Sequence, residues 1–398
     1  MRAHSVISAM GLAVAALIVM LATVPGAKAA DDQTYSKWFK LTADISHQWN
    51  VKGDSENPLQ VSIQSKDGQG PLRRVLVLYP RPSSAYDISI TQILQVFANK
   101  DINAEFLIIN FELNDAKGKF ALQQAEKDKF ELVFAMGSES AAWLYEKYRG
   151  GALPVVTVCS KDPVLLGQIE NYDSSSHSNF AFTSLNVPIE VQMAYVRELR
   201  PKLKNIAILA DSKNKSAMDT QAKPVAEYAA KNGIKIVWGT VENPANAREE
   251  LAKIVPNAVA QMRSNDPNLS QSLFWITGST SVFNEIRTIN QYSDRVPVVS
   301  VVPEIVKEGA DSAVIGIGVS FESNGRLAGI YGAQTLAGTK AGSLKVGLVS
   351  PPDMAINFLK AREIGLRVPF NFFEIASFVY DYEGKPVRSV KSETAAGN

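Results

Sequence analysis

The sequence predicts an α/β protein built from two doubly wound, Rossmann-like lobes. From residue 72 onward, short β-branched runs alternate with longer amphipathic stretches, a pattern typical of parallel sheets with helices on both faces. The alternation stops at the polar, turn-rich segment 172–179 and then starts again. A chain of 398 residues is also long enough for two domains. We therefore expect two successive α/β units of similar size.

The N-terminus has the features of a secretory signal. An apolar run from Val6 to Val24 follows Arg2 and ends before small residues at Ala27 and Ala29, the positions that signal cleavage requires. The alternative is a membrane anchor, because such a run could just span a bilayer. The acidic and polar residues that follow at once favour cleavage. We expect residues 1–29 to be a signal peptide and the mature chain to be soluble in the periplasm.

Residues 30–71 differ from the rest of the chain and form an N-terminal extension. Three large aromatic residues, Trp38, Phe39 and Trp49, are mixed with acidic residues and the flexible Gly68-Gln-Gly70. Two interpretations remain open here. The segment is either a strand pair packed against one lobe or an appendage that docks elsewhere.

The first α/β unit has strand and helix candidates in strict alternation. The strands are predicted at 74–79, 104–110, 132–135 and 154–158 from their apolar, β-branched character. The helices are predicted at 88–99, 119–129 and 139–148 from their amphipathic spacing.

The second unit repeats the pattern after the polar segment. Its strands are predicted at 205–210, 234–239, 273–277 and 297–301, and its helices at 188–200, 216–231, 245–262 and 282–291. A strand at 313–319 then leads into a helix with small residues on one face, which ends at Gly338. The chain returns through 345–352 to a last strand and helix between Asp353 and Pro369, and the polar tail 385–398 is expected to be disordered.

Composition excludes several classes of function. With 41 Lys and Arg against 40 Asp and Glu and no dense basic cluster, nothing indicates binding to nucleic acid or to an anionic membrane surface. The one cysteine, Cys159, cannot form an intramolecular disulfide. The three histidines include His4 in the signal, so no His-rich metal site or Ser-His-Asp triad is easily assembled. Glycine-rich nucleotide motifs are also missing, so we expect a non-enzymatic protein without cofactor or metal.

Candidate binding residues follow from the predicted sheets. Ligands of doubly wound proteins lie beyond the carboxyl ends of the strands, where helix N-termini present unpaired N–H groups. The loops at these positions are rich in Ser, Thr, Gly and single acids, which can hydrogen-bond a small polar solute but are also ordinary turn and cap residues. From the first unit we select Tyr79, Ser83, Ser84, Tyr86, Gly137, Ser138, Glu139, Ser160 and Asp162. From the second we select Asp211, Ser212, Gly278, Ser279, Thr280 and Glu304.

Several short motifs resemble the solute-binding proteins of ABC transporters. In the C-terminal segment, Asn357, Lys360, Ala361, Gly365 and Pro369 fall into the register of the last strand and helix of that family. Two earlier motifs of the family are also matched, in the same order. One is Leu153-Pro-Val-Val followed by Asp162-Pro-Val164. The other is Ile315-Gly-Ile-Gly-Val-Ser320 followed by Gly325-Arg326. The resemblance extends from about residue 72 to 370.

The resemblance implies a type I periplasmic-binding-protein fold, in which two lobes joined by a three-crossover hinge close over the ligand. It assigns 72–184 with 321–345 to lobe 1 and 185–320 with 346–384 to lobe 2. It also places Gly137, Ser138 and Asp162 at family motif positions. The implied partners are a small-molecule solute and an ABC permease in the inner membrane; the alternative is a sensory module that signals to a membrane partner.

One position departs from the amino-acid-binding members of that family. They commonly carry an aspartate where this chain has Gly278, between Thr277 and Ser279. An α-ammonium group left buried and unpaired would cost about 2 to 5 kcal/mol. A standard amino acid is therefore not the favoured ligand.

Overall fold

The computed structural model describes residues 33–389 and contains two β-sheets flanked by helices. The predicted signal peptide lies outside the described residues. No helix within the described range is long and apolar enough to cross a membrane.

The first sheet has seven strands within the described residues, in the order β1-β2-β4-β3-β5-β6-β7. They are β1 (Trp49–Gly53), β2 (Gln60–Ser65), β3 (Gln69–Tyr79), β4 (Ile102–Asn110), β5 (Leu132–Met136), β6 (Val155–Val158) and β7 (Phe180–Ala181). Strands β3 to β7 pair in parallel, whereas β1 and β2 are antiparallel to their neighbours. Every residue of β5 is buried, as expected for a parallel strand with helices on both faces.

The second sheet has eight strands in the same described range, in the order β15-β14-β13-β12-β11-β10-β8-β9. They are β8 (Asn205–Asp211), β9 (Lys235–Val241), β10 (Ser272–Ile276), β11 (Val298–Ser300), β12 (Ile315–Gly318), β13 (Asp353–Asn357), β14 (Phe378–Tyr380) and β15 (Pro386–Arg388). The strands from β9 to β12 along this order pair in parallel. Strand β13 runs antiparallel to β12.

The helices follow the strands. They are α1 (Ser84–Asn99), α2 (Asp115–Lys127), α3 (Gly137–Tyr148), α4 (Ile189–Leu199), α5 (Lys215–Ala217), α6 (Lys223–Lys231), α7 (Ala247–Arg263), α8 (Thr280–Phe283), α9 (Ile286–Tyr292), α10 (Phe321–Leu336), α11 (Phe358–Ile364) and α12 (Phe370–Ile375). A π-helical turn, Met218–Ala222, joins α5 to α6.

The two sheets belong to two lobes, and the described chain crosses between them three times. The crossings are 182–188, 319–320 and 344–352, because α10 packs against α1 and the first sheet while β12 and β13 belong to the second. Two of the crossings are joined by a hydrogen bond from the Ser184 amide to the Gly347 carbonyl at 3.0 Å. The predicted fold, two Rossmann-like lobes joined by a three-crossover hinge, is therefore the observed fold.

Helix α10 approaches α1 closely because its contact face is made of glycines. A Cβ on Gly325 would lie 2.7 Å from the Cα of Ser89, and a Cβ on Gly329 would lie 3.2 Å from the Cα of Ile93. The small face that the sequence predicts for this helix is thus the face that packs against α1.

The N-terminal extension is part of the first lobe. Strand β2 pairs with β4 of the first sheet. Of the two interpretations of this segment, a strand pair packed against one lobe is therefore confirmed. The Trp38 ring lies 5.8 Å from Tyr79 and the Trp49 ring 5.6 Å from Phe106, all four being buried. These aromatic residues cover one side of the hydrophobic core of the first lobe.

The predicted disordered tail needs a correction. Residues 386–388 form β15, which pairs antiparallel with β14 through Val379 and Arg388. The Arg388 guanidinium also donates to the carbonyl oxygens of Phe373 and Ala376, at 2.7 and 3.0 Å. The polar composition of the tail hid this edge pairing; residues 390–398 lie outside the described range.

Candidate functional site

A cleft lies between the lobes, where the carboxyl ends of the central strands of both sheets meet. It has an inner chamber of about 60 Å³ and an outer cleft of about 740 Å³. The two cavities adjoin, because they share wall residues from both lobes. The shared residues are Arg81, Ser138, Glu139, Asn214, Ser216 and Thr280.

Two helices of the first lobe begin at the inner chamber. Helix α1 starts after Ser83 and α3 starts after Met136, and neither capping residue provides a side-chain hydrogen bond to the helix. The first N–H groups of a helix have no intrahelical partner and carry partial positive charge. The inner chamber therefore receives positive potential from both helices.

Gly137 fits the start of α3 for two reasons. Its φ of 78° lies in the left-handed region that favours glycine. A Cβ at this position would also lie 2.1 Å from the Tyr86 hydroxyl oxygen. Gly137 thus allows the Tyr86 ring to lie against the helix start, where it lines the inner chamber.

Two charged side chains at the entrance are paired with each other. The Arg81 guanidinium donates to a Glu139 carboxylate oxygen at 2.9 Å, and both side chains are partly exposed. Since Glu139 lies in the first turn of α3, its charge is also favoured by the helix dipole.

Lys161 lies deeper in the chamber and reaches across it. The residue is 8 % exposed, and its ammonium donates to the Gly278 carbonyl of the second lobe at 3.5 Å. Burial, reinforced by the nearby Arg81, lowers the pKa of Lys161 to about 8. The backbone around it is held by a 2.9 Å hydrogen bond from the Lys161 amide to the Ser138 hydroxyl.

The second lobe supplies the opposite wall. The Gly278 amide donates to the Gln221 side-chain oxygen at 2.7 Å, which fixes the loop after β10. Apolar side chains complete the chamber, and three of them follow the ends of β11 and β12. The apolar residues are Leu185, Phe283, Val301, Val302, Val319 and Phe321.

Comparison with protein families identifies the chain. Residues 85–378 match the model of the ABC transporter substrate binding protein family. The chain belongs to this family. No curated protein sequence matches this substrate-binding protein.

Solved structures share the fold of the substrate-binding protein. A conserved domain protein from Vibrio cholerae has a TM-score of 0.61 at 19 % identity, covering 77 % of this chain and 99 % of that one. The ABC domain from Streptococcus pneumonia in complex with L-Trp has a TM-score of 0.59 at 19 % identity, covering 78 % and 100 %. A ligand-free, open substrate binding protein with adhesive properties from Clostridium difficile has a TM-score of 0.58 at 17 % identity, covering 80 % and 100 %.

About half of the residues selected from the sequence lie at the cleft of this substrate-binding protein. Those on the inner chamber are Ser83, Tyr86, Ser138, Glu139, Gly278 and Thr280. Asp211 lines the outer cleft, where it accepts a hydrogen bond from Ser281 at 2.8 Å. Gly137 does not line either cavity but contacts the Tyr86 side chain.

The other selected residues lie outside the walls of these two cavities. Tyr79 is buried in the core against Trp38, so it offers no flat contact to a solute. Ser84 is exposed on α1, and the Ser160 and Ser279 side chains are buried away from the chamber. The Ser212 hydroxyl donates to Glu242 at 2.7 Å.

The two remaining acids have structural contacts. The Asp162 carboxylate accepts the Val164 and Leu165 amides at 2.9 and 3.1 Å and also the Tyr172 hydroxyl, and it borders a different cavity. Glu304 accepts the Phe321 amide at the second crossing. Burial raises the pKa of Glu304 to about 8.

Sequence reasoning missed the cations and amides of the cleft. Arg81 and Lys161 lie in strand-end loops that the sequence does identify, but the selection favoured Ser, Thr, Gly and single acids and passed over the cations. Gln221 lies in the π-helical turn inside a segment predicted as one continuous helix, so no local signal marked it.

Proposed function

We propose that the mature chain is exported to the periplasm and captures a small polar or aromatic solute between its lobes for delivery to an ABC permease in the inner membrane. The observation that carries the proposal is the cleft itself. Both lobes contribute hydrogen-bonding groups to two adjoining cavities, and a hinge of three crossings joins the lobes. A solute bound there would contact both lobes and favour their closed arrangement.

The size and walls of the cleft support a solute of amino-acid or small aromatic dimensions. The aromatic rings of Tyr86, Phe283 and Phe321 can contact an apolar part, while Ser138 and Thr280 can orient polar atoms. The related Streptococcus structure contains L-Trp, a molecule of this size.

A thermal-shift screen of the mature protein tests capture. The panel contains amino acids, small carboxylates, nucleosides and short aromatic compounds. A solute at one hundred times its dissociation constant should raise the free energy of unfolding by about 2.7 kcal/mol. The solute should be recovered intact by mass spectrometry, and its consumption would indicate an enzyme instead.

A blocking variant tests the location. Gly278→Phe places a ring between the Gln221 and Lys161 side chains, since a Cβ at this position lies 3.1 Å from the Gln221 side-chain oxygen and 3.6 Å from the lysine Cε. It should abolish the thermal shift. Ser212→Phe, in another strand-end loop of the same lobe but outside both cavities, should keep it. Equal binding by both variants would place the solute elsewhere.

Delivery needs a separate experiment in the source cells. Uptake of the radiolabelled solute should fall when the gene for this chain is deleted and recover with the wild-type gene but not with Gly278→Phe. Undiminished uptake would separate binding from import.

A further inference from the structure

Lys161 is a buried cation, and no acidic side chain among residues 33–389 forms an ion pair with it. Its ammonium has one long hydrogen bond, to a neutral carbonyl oxygen at 3.5 Å, and the residue is 8 % exposed. A charge taken out of water without an opposite charge is unfavourable. A functional reason for keeping lysine here is an anion that arrives with the solute.

The other charged groups around the chamber do not fill this role. Glu139, the acid on the wall, is paired with Arg81 at 2.9 Å. Asp211 faces the outer cleft and accepts from Ser281. Burial raises the pKa of the Cys159 thiol to about 12, so Cys159 is neutral at physiological pH. The chamber wall therefore carries one more positive than negative charge.

The N-termini of the two helices at the chamber carry partial positive charge, which adds to the positive charge of Lys161. Helices α1 and α3 have 16 and 12 residues, and both begin beside the chamber without a side-chain cap. Their first N–H groups favour an anion, and a carboxylate can accept from N–H groups and a lysine together. The buried lysine and the two helix N-termini are independent observations, and both favour an anionic ligand.

A solute with its own ammonium group would be poorly matched. It would meet Arg81 and Lys161 in a small chamber, and Glu139 is already engaged. The Gly278 carbonyl, which could accept from an ammonium, already accepts from Lys161.

We propose that the solute is a small carboxylic acid without a charged amine, whose carboxylate pairs with Lys161 at the starts of α1 and α3. This inference rests on the proposed function, since it names the class of solute for the same cleft. The apolar part of the acid would lie against Phe283 and Phe321. Lys161 is the specificity-determining residue in this account.

Matched solutes test the charge requirement. 3-Phenylpropionate, 3-phenylpropanamide and L-phenylalanine share one skeleton but are an anion, a neutral molecule and a zwitterion. The same comparison is made for any acid that the wider screen finds, against its amide and its α-amino derivative. Calorimetric titration of the mature protein should show the acid binding at least tenfold more tightly than the other two.

Two lysine variants test the partner. Lys161→Met should weaken the binding of the acid at least tenfold and leave the binding of neutral solutes unchanged. Because Lys161→Met removes a buried charge, it should not lower the melting temperature of the solute-free protein. Lys127→Met removes an exposed cation of α2, in the same lobe but outside both cavities, and should change the affinity less than threefold.

The outcomes separate this inference from the proposed function. If neutral or zwitterionic solutes bind as tightly as acids, and Gly278→Phe abolishes that binding, capture stands and the carboxylate requirement is wrong. Unchanged acid affinity in Lys161→Met would also overturn it. If no solute in the wider screen binds, both proposals fail.

Discussion

At the scale of single residues, the contacts of Asp162 distinguish a structural role from a binding role. The sequence places Asp162 at a strand end in a motif that resembles the family, which makes it a natural binding candidate. In the structure, its oxygens accept from two backbone amides and from Tyr172, so they are already used. The residue fixes the turn that follows β6 and borders a cavity other than the cleft.

Asp162→Ala should therefore affect stability rather than binding. Losing the turn hydrogen bonds should lower the free energy of unfolding by about 1–3 kcal/mol, measured by urea denaturation. Solute affinity should change less than threefold. Asp173→Ala is the control, because Asp173 is exposed and its pair with Lys345 should contribute little. Loss of solute binding in Asp162→Ala without loss of stability would contradict this role.

Glu304 makes stability depend on pH. Its pKa is raised by burial from the ordinary 4.5 to about 8, so the folded protein retains a proton that the unfolded chain releases in this window. The free energy of unfolding should fall as pH rises from about 5 to 8. Asp87, with a pKa raised to about 7 by burial, acts in the same direction.

Glu304→Gln isolates this contribution. Glutamine keeps an oxygen that can accept the Phe321 amide but does not titrate. Urea denaturation at pH 5.5 and 8.5 should show a fall in the wild type that exceeds the fall in the variant by about 1–3 kcal/mol. Parallel pH profiles for the two proteins would refute the assigned titration.

At the scale of elements, the start of α3 depends on glycine. Gly137→Ala should destabilise the protein through the left-handed φ and through the displaced Tyr86 ring. We expect a loss of about 2–4 kcal/mol in the free energy of unfolding and weaker solute binding.

Gly150→Ala separates the two effects. Gly150 has a φ of 83°, but no atom lies within 4 Å of the position that a Cβ would occupy, so its variant carries only the backbone cost of about 1 kcal/mol. Equal losses in both variants would show that the contact with Tyr86 contributes nothing.

The elements that could be predicted are those whose signal is local. The buried strands β5, β8 and β10 are short continuous apolar runs, which the sequence shows directly. Segment 216–231 reads as one helix but divides at the π-helical turn, where Gln221 reaches Gly278 of a distant loop. Such a break depends on a tertiary contact that periodicity does not encode.

The site was less predictable for the same reason. The position of the cleft follows from strand order. Tyr79 does not line the cleft, because the N-terminal aromatic residues cover its ring. The importance of Lys161 depends on which acids of other loops come near it, and this becomes visible only in three dimensions.

At the scale of the whole molecule, the N-terminal extension completes the first lobe. The Trp38 indole donates to the Pro58 carbonyl at 2.7 Å, and its ring packs on Phe39 and Tyr79. Trp38→Ala should lower the free energy of unfolding by about 3–5 kcal/mol in urea denaturation. Trp238→Ala is the control, because Trp238 is 46 % exposed on β9 and should cost far less. Similar losses in both variants would argue that the extension is not part of the core.

The central claim is that a small acid binds between the lobes against Lys161. A crystal structure of the protein with the acid that gives the largest thermal shift tests it most directly. The claim predicts an intact solute in the cleft, with a carboxylate oxygen in the inner chamber about 2.8 Å from the Lys161 ammonium nitrogen. It also predicts contacts from Ser138 of one lobe and Thr280 of the other. A solute bound outside the cleft, or one whose carboxylate points away from Lys161, would contradict it.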